Sequence, residues 1–346
     1  MDLWILSKDF EPLGIVDTAS SIIWANRFRQ PGDFELYISA SVDLLGLLQE
    51  DYMVTRRDDD MVGIIEKTEI VTDEENGDFL LVSGRCTRSI LDRRIVWEQT
   101  AINGTVETGM RKLVTDAFIS PSDAARKYDK LKLAAKHGYT DTMRSQYTGS
   151  NLLEVFETVS SAKNYGFKIP IKDGMLVLDF YKPVDRSASQ SVNPRVVFSE
   201  QYDNLTTTTC TYDKTGYKNV VVVAGEGEGI NRRRTTVPAD NLPAGLDRRE
   251  LYVDARDISS NDGEIAEDEY NQLLDERGKE ALSEATIIQS MEGTVEPLHM
   301  YTYKQDYFLG DIVTVRNKYG VQMDTQVLEV VEVWDENGYT CTPTFG

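Results

Sequence analysis

The stretch of this chain nearest to a ligand fingerprint is Gly225-Glu226-Gly227-Glu228-Gly229, directly after the apolar run Val220–Ala224. A strand, a glycine-rich turn and a helix N-terminus bind pyrophosphate when backbone amides face the anion and Gly-x-Gly-x-x-Gly is complete. Here the third glycine position is Ile230. Glu226 and Glu228 also place negative charge where the phosphates would lie, and Asn231-Arg232-Arg233-Arg234-Thr235 follows instead of an apolar helix. The segment reads as a strand-ending loop. Ile258–Glu269 mimics a calcium loop, with Gly263 at its sixth position and Glu269 at its twelfth, but the first ligand position is Ile258, whose side chain has no oxygen. A turn that starts a helix explains it better.

The remaining candidates are weaker. Only two histidines occur, His137 and His299, neither in His-x-x-x-His nor beside a cysteine, which argues against histidine-based zinc and Cys-His nucleophilic chemistry. His299, in Pro297-Leu298-His299-Met300-Tyr301, reads as a packed strand residue. Carboxylates are too plentiful for sequence alone to exclude a glycosidase pair. The clusters Asp58-Asp59-Asp60 and Asp73-Glu74-Glu75 have charged neighbours in turns and read as solvated loops. Arg232-Arg233-Arg234 is short and flanked by glutamates, so a salt-bridge patch within the chain or between subunits outranks nucleic acid. Cys86, Cys210 and Cys341 lie far apart, with no Cys-x-x-Cys, which fits a reducing cytoplasm and no disulfide framework. No catalytic, cofactor-binding or metal residue is assigned, and the expectation is a protein without enzymatic activity and without a cofactor.

The elements that would position any site begin with short strands over roughly the first hundred residues: Leu3–Leu6, Ser21–Trp24, Phe34–Ile38, Tyr52–Thr55, Gly63–Val71 and Phe79–Val82. Gln30-Pro31-Gly32-Asp33 and Glu75-Asn76-Gly77-Asp78 break them, and an Asn-Gly pair between strand-like runs signals a hairpin. Helical spacing is read over Met110–Ile119, over Ser122–Lys136 behind Ser120-Pro121, and over Asn151–Lys163 with Asn151 as cap. Strands return at Phe167–Ile171 and Met175–Tyr181, then Arg195–Ser199, Thr206–Tyr212 and Asn219–Ala224. A polar helical region is expected over Asp247–Ile258 and Glu264–Ser290, and the chain closes on strands from Leu298 to Phe345. Ala101-Ile102-Asn103-Gly104-Thr105 reads as an exposed turn between domains, open to proteases.

At 346 residues the chain exceeds what one core usually serves. Hydrophobic residues at 40% and charged residues at 27% fit a folded protein, the longest apolar run is too short for a membrane span, and the start carries no signal-peptide pattern. The net charge of −21 disfavours nucleic-acid binding as the main task, since such a surface repels phosphate.

One internal repeat stands out. From Asp51 the order is acid, strand, polar turn, the strand Gly63–Val71 and the Asn76-Gly77 hairpin. From Asp311 it is acid, strand, a polar turn with Gly320, the strand Thr325–Val333 and Asp335-Glu336-Asn337-Gly338. Two related β domains would produce this order.

Several stretches together are similar to the tail-tip hub family of siphophages and related contractile particles, including the N-terminal hub region of tail-associated lysins. They are Gly84-Arg85, Leu91–Val96, Val196–Ser199, Asn204-Leu205, Asn219–Val223, Gly225-Glu226-Gly227, Arg248-Arg249-Glu250, Asp254-Ala255-Arg256-Asp257, Arg277-Gly278, Leu309-Gly310-Asp311 and Pro343-Thr344-Phe345-Gly346. The resemblance implies an α+β protein with two barrel-like tube domains and a mixed peripheral domain. It implies a homotrimer whose ring joins the tail tube to the tip around the channel for DNA and tape-measure protein, in a virion tail assembled in the host cytoplasm. The implied partners are other copies of itself, tail tube and distal tail proteins, the tape-measure protein and a tip fibre or lysin. Neither sequence-specific nucleic-acid binding nor stable membrane insertion is implied. Lysin-bearing relatives continue into an enzymatic domain; this sequence stops after its second β block, so wall-degrading activity is expected elsewhere. The expected division is 1–103 as the first β domain, 184–236 with 295–346 as the second, and 104–183 with 237–294 as the mixed domain. A cell-surface carbohydrate-binding or glycan-hydrolysing tail protein is the alternative.

Overall fold

The computed structural model describes residues 1–72, 77–295 and 300–346. Its backbone is organised by one long sheet. In chain order its eight main strands are β1 (Ser21–Arg27), β2 (Asp33–Ser39), β3 (Lys67–Val71), β4 (Phe79–Arg85), β5 (Leu205–Asp213), β6 (Ile288–Val295), β7 (Gln322–Asp335) and β8 (Gly338–Phe345). In space they run β5-β6-β8-β7-β1-β2-β4-β3, every neighbour antiparallel. Each half of this sheet therefore follows the same path: first strand, second, fourth, third. Where the resemblance implies two barrel-like domains, the two halves form, among the described residues, one open sheet with no closed barrel.

The repeat at Asp51 and Asp311 falls inside these halves. Met53–Thr55 pairs antiparallel with Val62–Ile64, just before β3 and β4. Ile312–Arg316 pairs antiparallel with the start of β7, whose far end turns into β8. The hairpin strand is continuous in β7 but interrupted between Ile64 and Lys67 in the first half. Asp335-Glu336-Asn337-Gly338 makes the expected tight turn, with Asp335 opposite Gly338 and Gly338 at φ +112°. Asp73-Glu74-Glu75-Asn76, like Leu298 and His299, lies outside the described residues.

Alternation explains the layers. Ile22, Trp24, Phe34, Leu36, Ile38, Leu80 and Val82 point to one side of the first half and are buried under Leu3, Ile5 and Val54 from the hairpins beside it and Leu48 at the end of the short helix α1 (Val42–Leu47). Cys341 and Phe345 of β8, Met291 of β6 and Val327 and Val330 of β7 do the same in the second half, against Phe198, Tyr307, Val313 and Val315. Among the described residues no core packs on the opposite face of the sheet.

A mixed layer carries two further cores. One surrounds α2 (Val106–Val114) and α3 (Leu152–Lys163). Asn151 caps α3 as read from the sequence, its side chain accepting from the amides of Leu153 and Glu154. The other core lies between the sheet of Val220–Ala224, Arg234–Val237 and Glu250–Asp254 and the helix α4 (Glu267–Glu284).

Four expectations about elements change. The helical reading of Glu264–Ser290 stops at Glu284, and Ile288–Ser290 opens β6. Ser122–Lys136 is not a helix: a short 3-10 turn, Ala124–Arg126, leads to the strand Leu131–Leu133, parallel to Met175–Tyr181. Asp247–Ile258 contains the strand Glu250–Asp254, because Leu251 and Val253 alternate inward beside Val220–Ala224 while charged neighbours point out. Ala101–Thr105 is not a turn. Asn103 and Gly104 pair with Arg144 and Met143, and Thr105 then caps α2 by accepting from the amide of Thr108.

Candidate assembly interface

Where the two halves meet, β7 lies against β1 with Glu332 opposite Trp24. This seam is a buried charge cluster. Arg56, 3% exposed, donates to Glu332 at 3.1 Å and to Asp58 at 2.7 Å. Lys304 reaches Asp59 and Glu332, each at 2.9 Å. Asp59 also accepts from the Trp24 indole at 2.8 Å and the Asn26 amide at 3.2 Å, and Tyr339 donates to Glu332 at 3.1 Å. The guanidinium of Arg56 lies 4.3 Å from the Trp334 ring centroid. Burial works against the Arg56 charge, but Asp58, Glu332 and Asp59 outweigh it and hold its pKa above the ordinary value. Taking charges out of water is costly, and an arrangement with this many partners fixes one register between the halves.

Asp59 corrects the reading of Asp58-Asp59-Asp60 as a solvated loop. The side chains of Asp58 and Asp60 are 61% and 55% exposed, but that of Asp59 is 6% exposed and belongs to the seam. Arg56 and Glu332 were likewise missed. Their meeting across 276 residues has no local signal.

The two ends of the sheet contrast with the seam. Among the described residues β3 pairs only with β4, and residues 208–213 of β5 only with β6. Ile70 is 58% exposed and Cys210 is exposed; each points to the covered side of its strand, opposite Leu80 and Met291 respectively. These two edges carry backbone donors and acceptors without a second strand, the arrangement that pairs with another chain. The uncovered face bears Glu35, Glu69, Glu292 and Glu329 with the row Thr340, Thr342 and Thr344. Arg27 pairs there with Asp33 and Glu329.

The other sequence candidates make contacts within the chain. The amide of Glu226 donates to the Tyr270 hydroxyl at 2.8 Å, and its carboxylate accepts from the Ser260 amide at 3.0 Å. A Cβ on Gly225 would sit 2.2 Å from that hydroxyl, so the loop runs close against the helix α4. Arg232 pairs with Asp254 at 2.5 Å and Arg233 with Glu226 at 3.5 Å, the internal patch read from the sequence. Ile258 is buried in the core beside α4. His137 bonds Asp179 at 2.8 Å and stacks on Tyr139. The three cysteines are free; burial pushes the Cys341 thiol up to about 11.

Compared with known proteins, residues 2–346 match the family described as Siphovirus ReqiPepy6 Gp37-like protein. No curated protein matches. Solved structures share the fold. The 43 kDa tail protein of prophage MuSo2 from Shewanella oneidensis has a TM-score of 0.60 at 12% identity, over 100% of this chain and 98% of that one. A tail protein from Neisseria meningitidis MC58 has a TM-score of 0.55 at 14% identity, over 99% and 95%. Prophage tail protein gp18 from Listeria monocytogenes EGD-e has 0.53 at 12% identity, over 99% and 94%.

Proposed function

The chain belongs to the Gp37-like siphovirus family, and from that premise we propose that it is a structural hub subunit that closes into a ring of three at the tail tip. The observation that carries this reading is the repeated strand path with unequal junctions. Within one chain the last strand of the second half, β7, is sealed to the first strand of the first half, β1. The same relation is left open at the two ends, where β3 ends the first half and β5 begins the second. If β3 of one copy takes β5 of the next, the contact is head-to-tail and generates a ring when its rotation closes. Three chains then present six similar four-strand units to a sixfold tube.

In this reading the uncovered face lines the channel. Carboxylates and threonine hydroxyls predominate there, and Arg27, Lys67 and Arg85 are each paired with carboxylates, which leaves passing DNA little cationic grip. The domain division given from the sequence is part of the proposal, with two changes: the second unit is extended back to Ile288 because β6 pairs with β5 and β8, and its first segment ends before Val220, whose strand belongs to the mixed layer's sheet. So are the tail tube, distal tail, tape-measure and tip proteins as partners, a location in the virion tail, and the absence of enzymatic activity. Clearing of cell-wall suspensions by the pure protein, abolished by changing one carboxylate, would contradict that absence and favour the glycan-acting alternative. Assembly itself is tested by placing a proline at Ile70, on the open edge. Pro lacks the N–H a new strand would use and is tolerated on edges. The fold should survive while self-association is lost; unchanged self-association would contradict the pairing.

A further inference from the structure

A cavity of about 720 Å³ opens behind the seam, where the two halves of the long sheet meet the mixed layer. That volume lies in the range of sites that take small ligands or peptide ends. Its walls are apolar at Met61, Phe167, Ile169, Val184, Phe308 and Leu309. Most of the cations around it are already neutralised: Lys168 by Asp60, Lys182 by Asp141, Arg186 by Asp311 and Lys304 by Asp59. Arg88 differs. It is 5% exposed and lines the cavity, yet it donates only to the carbonyls of Arg27, Phe28 and Phe167. Among the described residues it forms no ion pair; Glu157 feels its charge without pairing. A guanidinium has five N–H donors, and a buried one without a counter-charge is costly.

Two tyrosines share the wall. Neither the Tyr181 nor the Tyr303 hydroxyl has a hydrogen-bond partner among the described residues, although both line the cavity. Burial pushes Tyr181 up to about 12 and holds Tyr303 well above the ordinary tyrosine value, so both are neutral donors at physiological pH. Arg57, exposed at the rim, likewise makes no ion pair among the described residues.

We propose that this cavity binds a carboxylate carried on an apolar body, with Arg88 as counter-charge and the Tyr181 and Tyr303 hydroxyls as donors. The chemistry is that of a peptide C-terminus or of a glutamate side chain presented by a partner chain. The cavity lies apart from the open edges β3 and β5, so its failure would leave the ring intact.

Calorimetry on the full-length protein with three short peptides tests it: acetyl-Ala-Ala-Phe with a free carboxylate, the same peptide as its amide, and the amide of acetyl-Ala-Glu-Phe. Binding of the free acid or of the glutamate peptide, with the plain amide silent, is the expected result, and whichever of the two binds identifies the source. Tyr303→Phe removes one donor without disturbing the wall and should weaken that binding about tenfold, the effect of losing one hydrogen bond to a charge. Arg88→Lys should abolish it. Because Arg88 also clamps three carbonyls, the tyrosine variant keeps the test independent of folding. Equal binding of acid and amide, no binding by any peptide at millimolar concentration, or full affinity in the Tyr181→Phe/Tyr303→Phe double variant would overturn the proposal.

Discussion

The two halves of the long sheet follow one path but are finished differently, and the acids that begin their hairpins show it most plainly. Asp311 is 3% exposed, pairs with Arg186 at 2.6 Å and accepts from the amides of Val184 and Phe308. Asp51, its counterpart about 260 residues earlier, pairs with Lys8 at 3.0 Å and Arg93 at 3.1 Å in side chains between 45% and 60% exposed. The same residue type at the same place in the path is an internal anchor in one half and a surface pair in the other. The uncovered faces differ too: Ile23, Tyr37, Phe79 and Leu81 in the first half, threonines in the second. A repeated backbone fixes where strands go, while burial decides what each position contributes.

Substitutions can break this comparison. The largest loss is expected at the seam: Arg56→Ala leaves the buried Glu332 with only Lys304 and Tyr339 as partners and should cost ~3–5 kcal/mol in urea unfolding. Next, Asp311→Ala should cost ~2–3 kcal/mol, since it strands Arg186 and two amides. A loss below that of Asp51→Ala would erase the contrast between the halves.

A smaller effect, dependent on pH, is expected in the mixed layer. Glu280, 3% exposed, accepts from Ser145 at 3.1 Å and Tyr147 at 3.3 Å, near Arg277 and Lys163. Burial raises its pKa above the ordinary carboxylate value despite those groups. The folded state therefore favours the protonated form, and stability from this group is complete below the unfolded pKa and declines as pH rises through the folded one. Glu280→Gln should flatten the fall in Tm above pH 5 and leave Tm unchanged at pH 4. A steeper fall in the variant would contradict the sign. Smallest of all, Asp51→Ala should cost under ~1 kcal/mol, as exposed pairs do.

Much of the path was legible because its signals are local. The Asp311 hairpin, with Gly338 at its turn, and the cap Asn151 each depend on a few adjacent residues. The equivalence of β5 and β6 to β1 and β2 was not legible, since the sheet and helix of residues 220–284 separate β5 from β6 in sequence. Glu250–Asp254 was misread because Arg248, Arg249 and Arg256 mask a short inward alternation. The seam was hidden for a different reason. Arg56-Arg57-Asp58-Asp59-Asp60 has the composition of a solvated loop, and residues distant in sequence, Glu332 on Arg56 and Trp24, Asn26 and Lys304 on Asp59, make part of it an interior.

The most direct test of the ring is covalent capture of its open edges. Ile70→Cys places a thiol on β3, facing the same side of the sheet as the native Cys210 on β5, and Thr68→Cys is its neighbour on that side. Mild oxidation of either variant in concentrated solution should yield a closed species of three chains linked through Cys210, with Cys210→Ser abolishing it. Two-chain products that stop there, ladders that extend without limit, or no Cys210-dependent product from either position would contradict a three-chain ring built by pairing β3 with β5.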